Sequence, residues 1–135
     1  MARNERHGER DVWNQHSCPS ICFAGEFMEL TQKRCVPCEG GVPALDAKQA
    51  AQLQSQVPGW QVQAGNRVLH RHLKFGSFAD NMAFISRMAW LAEAEGHHPD
   101  FCVHYNQLDL SLTTHAIGGL SENDFIFAAK LDQLV

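Results

Sequence analysis

The sequence predicts an α+β domain in two layers: a four-stranded antiparallel sheet, built from two hairpins, packed against helices on one face. Three observations predict it. Residues 60–75 and 101–112 alternate apolar and polar side chains on either side of short turns. Residues 77–95 repeat apolar side chains at helical spacing. Capping-box patterns at Asp46 and Ser121 mark two further helix starts. The resulting order is α-β-β-α-β-β-α, with its first element near residue 46.

Each element has a local cause. Asp46 followed by Gln49, with Leu45 just before, opens the first helix; Ala50, Leu53 and Val57 recur along it, and Pro58-Gly59 stops it. Trp60 to Ala64 alternates, Gly65-Asn66 turns, and Arg67 to Phe75 alternates again through Val68, His70 and His72. Ser77 caps the long helix, Phe78, Met82, Ile85, Ala89 and Ala92 define its expected core face, and Gly96 sits where a left-handed cap belongs. The second hairpin places Phe101, Val103 and Tyr105 on one face and Leu108, Leu110 and Leu112 on one face. Ser121-Glu-Asn-Asp124 then opens a helix carrying Phe125, Ala129 and Leu134.

Composition bounds the function. The chain has 135 residues, 44% hydrophobic and 19% charged, with a net charge of −4. That is a globular composition of one-domain size. The negative balance argues against a broad nucleic-acid or anionic-membrane surface, and no apolar run reaches the roughly 20 residues of a membrane span. Residues 1–40 read as a poorly ordered arm and 41–135 as the folded domain. Met28 opens a more natural start than Met1, so residues 1–27 are expected to be an upstream overrun. The N-terminus lacks the apolar core of a secretory signal, and five cysteines, an odd number, do not make a secreted framework; a cytoplasmic location is expected.

Eight histidines are the most informative count: His97, His98, His104 and His115 fall within nineteen positions. His97 and His98 follow the long helix directly, where the carbonyl dipoles favour imidazolium, and Pro99 stiffens the loop. His115 ends the second hairpin after Thr113-Thr114. Strand ends and helix ends meet at sheet rims, so three imidazoles can share one cleft suited to acid–base chemistry. The plain alternatives are solvated loop histidines, Glu93 as a solvated helix residue, and Asp124 as a capping-box member only. Adjacent His97 and His98 are poor joint ligands for one metal. Cys18-xxx-Cys22 and Cys35-xx-Cys38 have a spacing that admits one zinc ion, yet simple thiols are the preferred reading and no metal is assigned. His70 and His72 share a strand face and are read as exposed.

Taken together, Glu93-xxx-His97-His98-Pro99, Tyr105, His115 and Asp124 resemble the signature of the pterin-4a-carbinolamine dehydratases. The resemblance runs from about Cys35 to the C-terminus and includes CVPCEGG at 35–41 and Pro58-Gly59-Trp60. It implies an α+β subunit forming homodimers or homotetramers, with no cofactor, that dehydrates 4a-hydroxytetrahydrobiopterin to quinonoid dihydropterin. That reaction returns pterin to aromatic amino-acid hydroxylases, possible partners by the same resemblance. His97, His98 and His115 match the family's catalytic histidines, while Glu93, Pro99, Thr113, Thr114 and Asp124 match positions around its pterin pocket. Animal relatives also act as dimerisation cofactors for a homeodomain transcription factor, so a binding module that stabilises a hydroxylase or a regulator is the alternative. Two residues depart from the animal pattern: Phe101 stands for Trp, and Asn123 for Arg.

Overall fold

The computed structural model describes residues 29–37 and 40–135. Met28 and the pair Cys18 and Cys22 lie outside the described residues, as does Cys38. Three helices, α1 (Ala47–Gln54), α2 (Phe78–Glu95) and α3 (Glu122–Asp132), accompany four strands, β1 (Gln61–Gln63), β2 (Val68–Lys74), β3 (Asp100–His104) and β4 (Gln107–Leu112). The α+β class and the element order are those the sequence predicts.

The sheet order is β1-β2-β4-β3, antiparallel throughout. The two hairpins therefore lie side by side with β2 against β4, in a register that sets Leu69 opposite Leu112 and Leu73 opposite Leu108. Period-2 alternation sends these leucines, with Leu110, into the core. The opposite face carries His70, His72, Asp109 and Ser111.

Both capping boxes form: the Asp46 carboxylate accepts from the Gln49 N–H at 2.8 Å, and the Asp124 carboxylate accepts from the Ser121 N–H at 2.9 Å. Gly96 adopts φ 63° and ends α2 in a left-handed cap. Trp60 is fully buried, and its indole N–H donates to Asp132 at 2.8 Å, which ties the entry of β1 to the end of α3. Helix α3 is buried almost all round through Phe125, Ile126, Phe127, Ala128, Ala129 and Leu131, as a helix between other elements must be.

Three expectations about single elements are corrected, the first being that α1 ends at Gln54, so that Val57 is buried beyond the helix rather than along it. The core face of α2 is Asn81, Phe84, Met88 and Ala92; of the expected face only Ala92 is buried, while Phe78, Met82 and Ala89 are exposed and Ile85 is half-buried. The helix carries two apolar stripes, and α3 and the sheet select the one that holds Phe84. Tyr105 leaves the strand alternation altogether: it sits in the β3–β4 turn with φ 56°. The buried amide of Asn81 explains this turn, because its Nδ2 donates to the carbonyls of Tyr105 (3.0 Å) and Gln107 (3.1 Å). Residues 29–37, which composition groups with the arm, lie along α3 with Leu30 in the core.

Candidate functional site: a histidine-lined cavity at the sheet rim

Four chain segments meet at one end of the sheet around a cavity of about 410 Å³. The C-terminal end of α2 supplies Glu95, Gly96, His97 and His98; the chain leaving β4 supplies Thr113, Thr114 and His115. Asn123 in the first turn of α3 and residues 35–37 complete the lining. The size suits a small-molecule ligand, and convergent polar groups in such a space are the usual mark of a binding site.

His97 is the most organised of the three imidazoles. The left-handed turn at Gly96 lets the chain leave α2 while the His97 N–H still bonds the Ala92 carbonyl at 3.2 Å. Its ring packs edge-on to Phe127 with centroids 5.8 Å apart, and its Nε2 lies 2.7 Å from Asp124 Oδ1. Asp124 is fully buried. Its second oxygen accepts from the Thr114 hydroxyl at 2.8 Å and from the Ser121 N–H, and the Thr114 and Ser121 hydroxyls are 2.7 Å apart. A buried carboxylate satisfied on both oxygens is a rigid acceptor. Because an ionised carboxylate only accepts, it orients the His97 ring with Nε2–H toward Asp124.

The other two histidines are exposed. His98 Nε2 is 2.8 Å from Glu93 Oε1, and His115 Nε2 is 3.6 Å from Asp100 Oδ2. Carboxylates therefore accompany all three rings, two on the surface and one in the core. Glu93 and Pro99 do not line the histidine cavity; with Phe101 they line a smaller apolar groove beside it, and His98 belongs to both spaces. Asp124 stands behind His97 rather than in the lining.

Sequence reasoning missed Glu95. Its carboxylate pairs with Lys130 of α3 and accepts the Cys35 N–H at 3.0 Å. Burial pushes its pKa up, but the Lys130 ammonium and the Cys35 N–H outweigh that and hold it below the usual carboxylate value. Nothing local to Glu95 signals this, because Lys130 is 35 positions away. The Cys35 thiol is pushed up to about 12 by burial and by the neighbouring Glu95 carboxylate, so it stays protonated and donates to the Asn123 carbonyl at 3.6 Å.

His70, His72 and His104 lie away from this site. His72 Nδ1 is 2.8 Å from Asp109 on the sheet's outer face, and that hydrogen bond depresses the Asp109 pKa, with smaller help from the charges of His70 and His104. Among the described residues, no group of three or more His, Cys, Asp and Glu side chains is arranged to hold a metal ion. No described helix is long and apolar enough to cross a membrane.

The chain has relatives among known proteins. Residues 43–134 match the family model described as pterin 4 alpha carbinolamine dehydratase. A relative in Halorhodospira halophila is 48% identical over 107 residues, spanning 79% of this chain and 98% of that protein. One in Nitrosomonas eutropha is 50% identical over 108 residues, 79% of this chain and 94% of that protein. Both are assigned provisionally as pterin-4-alpha-carbinolamine dehydratases. Among solved structures, a transcriptional coactivator/pterin dehydratase from Brucella melitensis superposes with a TM-score of 0.65 at 30% identity, covering 67% of this chain and 97% of that one. A pterin dehydratase-like protein identified as a RuBisCO assembly factor in the alpha-carboxysome gives 0.50 at 28% identity, covering 56% of this chain and 88% of that one.

Proposed function

The chain belongs to the pterin 4 alpha carbinolamine dehydratase family, and from that premise we propose that it removes water from 4a-hydroxytetrahydrobiopterin by histidine acid–base catalysis. The observation that carries the reading is the convergence of His97, His98 and His115 on one cavity, with one ring oriented by a fully buried carboxylate. Elimination needs an acid to protonate the departing 4a-hydroxyl and a base to take the N5 proton. The C4a–O and N5–H bonds break, the N5=C4a double bond forms, and water leaves with no change in overall oxidation state. An imidazolium serves the first step and a neutral imidazole the second. Thr113 and Thr114 line the same cavity as the rings.

The product, quinonoid dihydropterin, would be returned to an aromatic amino-acid hydroxylase, and the reaction would take place in the cytoplasm with no cofactor. Self-association completes the proposal. The exposed stripe of Phe78, Met82 and Ala89, with Trp90 76% exposed on the same helix and Phe101 beside it, is the kind of surface that a dimer or tetramer covers. The same stripe favours one alternative, a binding module for a hydroxylase or a regulator. The coactivator and assembly-factor roles of the two structural relatives point the same way.

A dehydration assay on freshly generated 4a-hydroxytetrahydropterin, run with and without a chelator, separates the two. Catalysis predicts chelator-resistant turnover that His98→Ala abolishes, while the far-UV spectrum and the mass by light scattering stay those of wild type. A folded wild-type protein without turnover would leave the binding module; turnover that survives His98→Ala would remove His98 from the mechanism.

A further inference from the structure

Residues 29–37 precede the region that the family model matches, yet they build part of the histidine cavity. We infer that they act as a substrate strap, in which Val36 and Pro37 contact the bound pterin and Asn123 is the positioning residue that holds them there. The inference rests on the proposed pterin chemistry for the identity of the ligand, and on the following contacts for the strap itself.

The strap is anchored at successive points. Leu30 enters the core beside α3, and Lys33 pairs with Glu122. The Cys35 N–H is held by Glu95, which is itself held by Lys130. Asn123 then reads the backbone of Val36 at both polar groups: its Oδ1 accepts the Val36 N–H at 3.0 Å and its Nδ2 donates to the Val36 carbonyl at 2.6 Å. That is the pairing a neighbouring strand would offer, supplied by one side chain.

The consequence is an ordered backbone that carries an unburied apolar side chain. Val36 is 65% exposed although both its backbone groups are bonded, and it lines the histidine cavity together with Pro37. Val36, Pro37 and Asn123 also line a second cavity of about 770 Å³, so the strap forms the partition between the two spaces. An apolar surface held in place before the ligand arrives suits the flat face of a bicyclic heteroaromatic ring, because no loop has to be ordered on binding. Asn123, being neutral, fastens the strap without adding a charge at the mouth.

The test uses the full chain, 7,8-dihydrobiopterin as a ligand that cannot turn over, and two variants. Val36→Ser alters only the exposed side chain, so it leaves the melting temperature alone and weakens dihydrobiopterin binding about fivefold, with the loss falling on KM rather than kcat. Asn123→Ala speeds hydrogen exchange at the Val36 amide by about tenfold or more while exchange in β2 and β4 stays unchanged, and it raises KM by a similar factor. Wild-type affinity and KM in both variants, or coil-like exchange at Val36 in the wild type, would overturn the strap. Should the wild type bind dihydrobiopterin, respond to both variants and yet show no turnover, the dehydratase reading fails and the strap stands. A wild type that neither binds nor turns over refutes both.

Discussion

Replacing Asp124 by Asn changes almost no volume, yet it strikes a buried carboxylate on which two structural demands converge. Two donors, the Thr114 hydroxyl and the Ser121 N–H, meet at Oδ2, and His97 meets Oδ1. An amide has a single carbonyl oxygen, and two donors hold it on the Thr114–Ser121 side; the NH₂ is thereby turned toward His97 Nε2. A donor then faces a donor, and the ring must change tautomer or lose the bond. The charge-assisted hydrogen bond at 2.7 Å is the main loss, worth about 1.5–3 kcal/mol. Removing a negative charge from the first turn of α3 adds about 0.5 kcal/mol. Together these cost about 2–3.5 kcal/mol, or a fall in Tm of about 10–18 °C for a domain near this size. Since the carboxylate sets which ring nitrogen carries the proton, kcat should fall by a factor on the order of 10² while dihydrobiopterin still binds. Thermal unfolding by circular dichroism, the dehydration assay and the ¹⁵N shifts of the His97 ring measure the three effects. A variant with wild-type Tm, kcat within about twofold and an unchanged His97 tautomer would refute the claim that Asp124 orients the ring.

Further outcomes follow from the same contacts. Gly96→Ala meets no atom within 4 Å of the added methyl but must hold φ near 63°; the backbone strain should cost about 1 kcal/mol, which calorimetry detects as a Tm drop of about 5 °C, and Gly96→Asn should recover part of it. Glu95→Gln leaves the Lys130 ammonium without its ionic partner at a largely buried position, an expected loss of about 2 kcal/mol at neutral pH. The sign of the pH effect follows from the depressed Glu95 pKa. Its stabilisation is full above the unfolded carboxylate value and disappears as pH falls through the folded value, so wild type and Glu95→Gln should converge in Tm on acidification below about pH 4.

Much of the fold is legible along the chain because its causes are local. Asp46 and Gln49, or Ser121 and Asp124, are one helical turn apart, so a capping box can be read before any tertiary contact is known. Leu108, Leu110 and Leu112 alternate because a strand's faces do, and Gly96 ends α2 because a left-handed turn favours glycine. The spaced set of Glu93, His97, His98, His115 and Asp124 marks the candidate site before the structure places it.

Local sequence thus settles the kind and order of the helices and strands and supplies the histidines around which a site is built. Tertiary packing chose which of two apolar stripes on α2 faces inward, because the choice belongs to the surface of α3 and the sheet rather than to the helix. It alone paired Glu95 with Lys130, gave Asp124 its second role behind His97, and laid residues 29–37 against Asn123. These contacts join positions between 27 and 87 residues apart. A helix cap is set by forces that act within one turn of chain, whereas a cavity exists only where distant segments have been packed together.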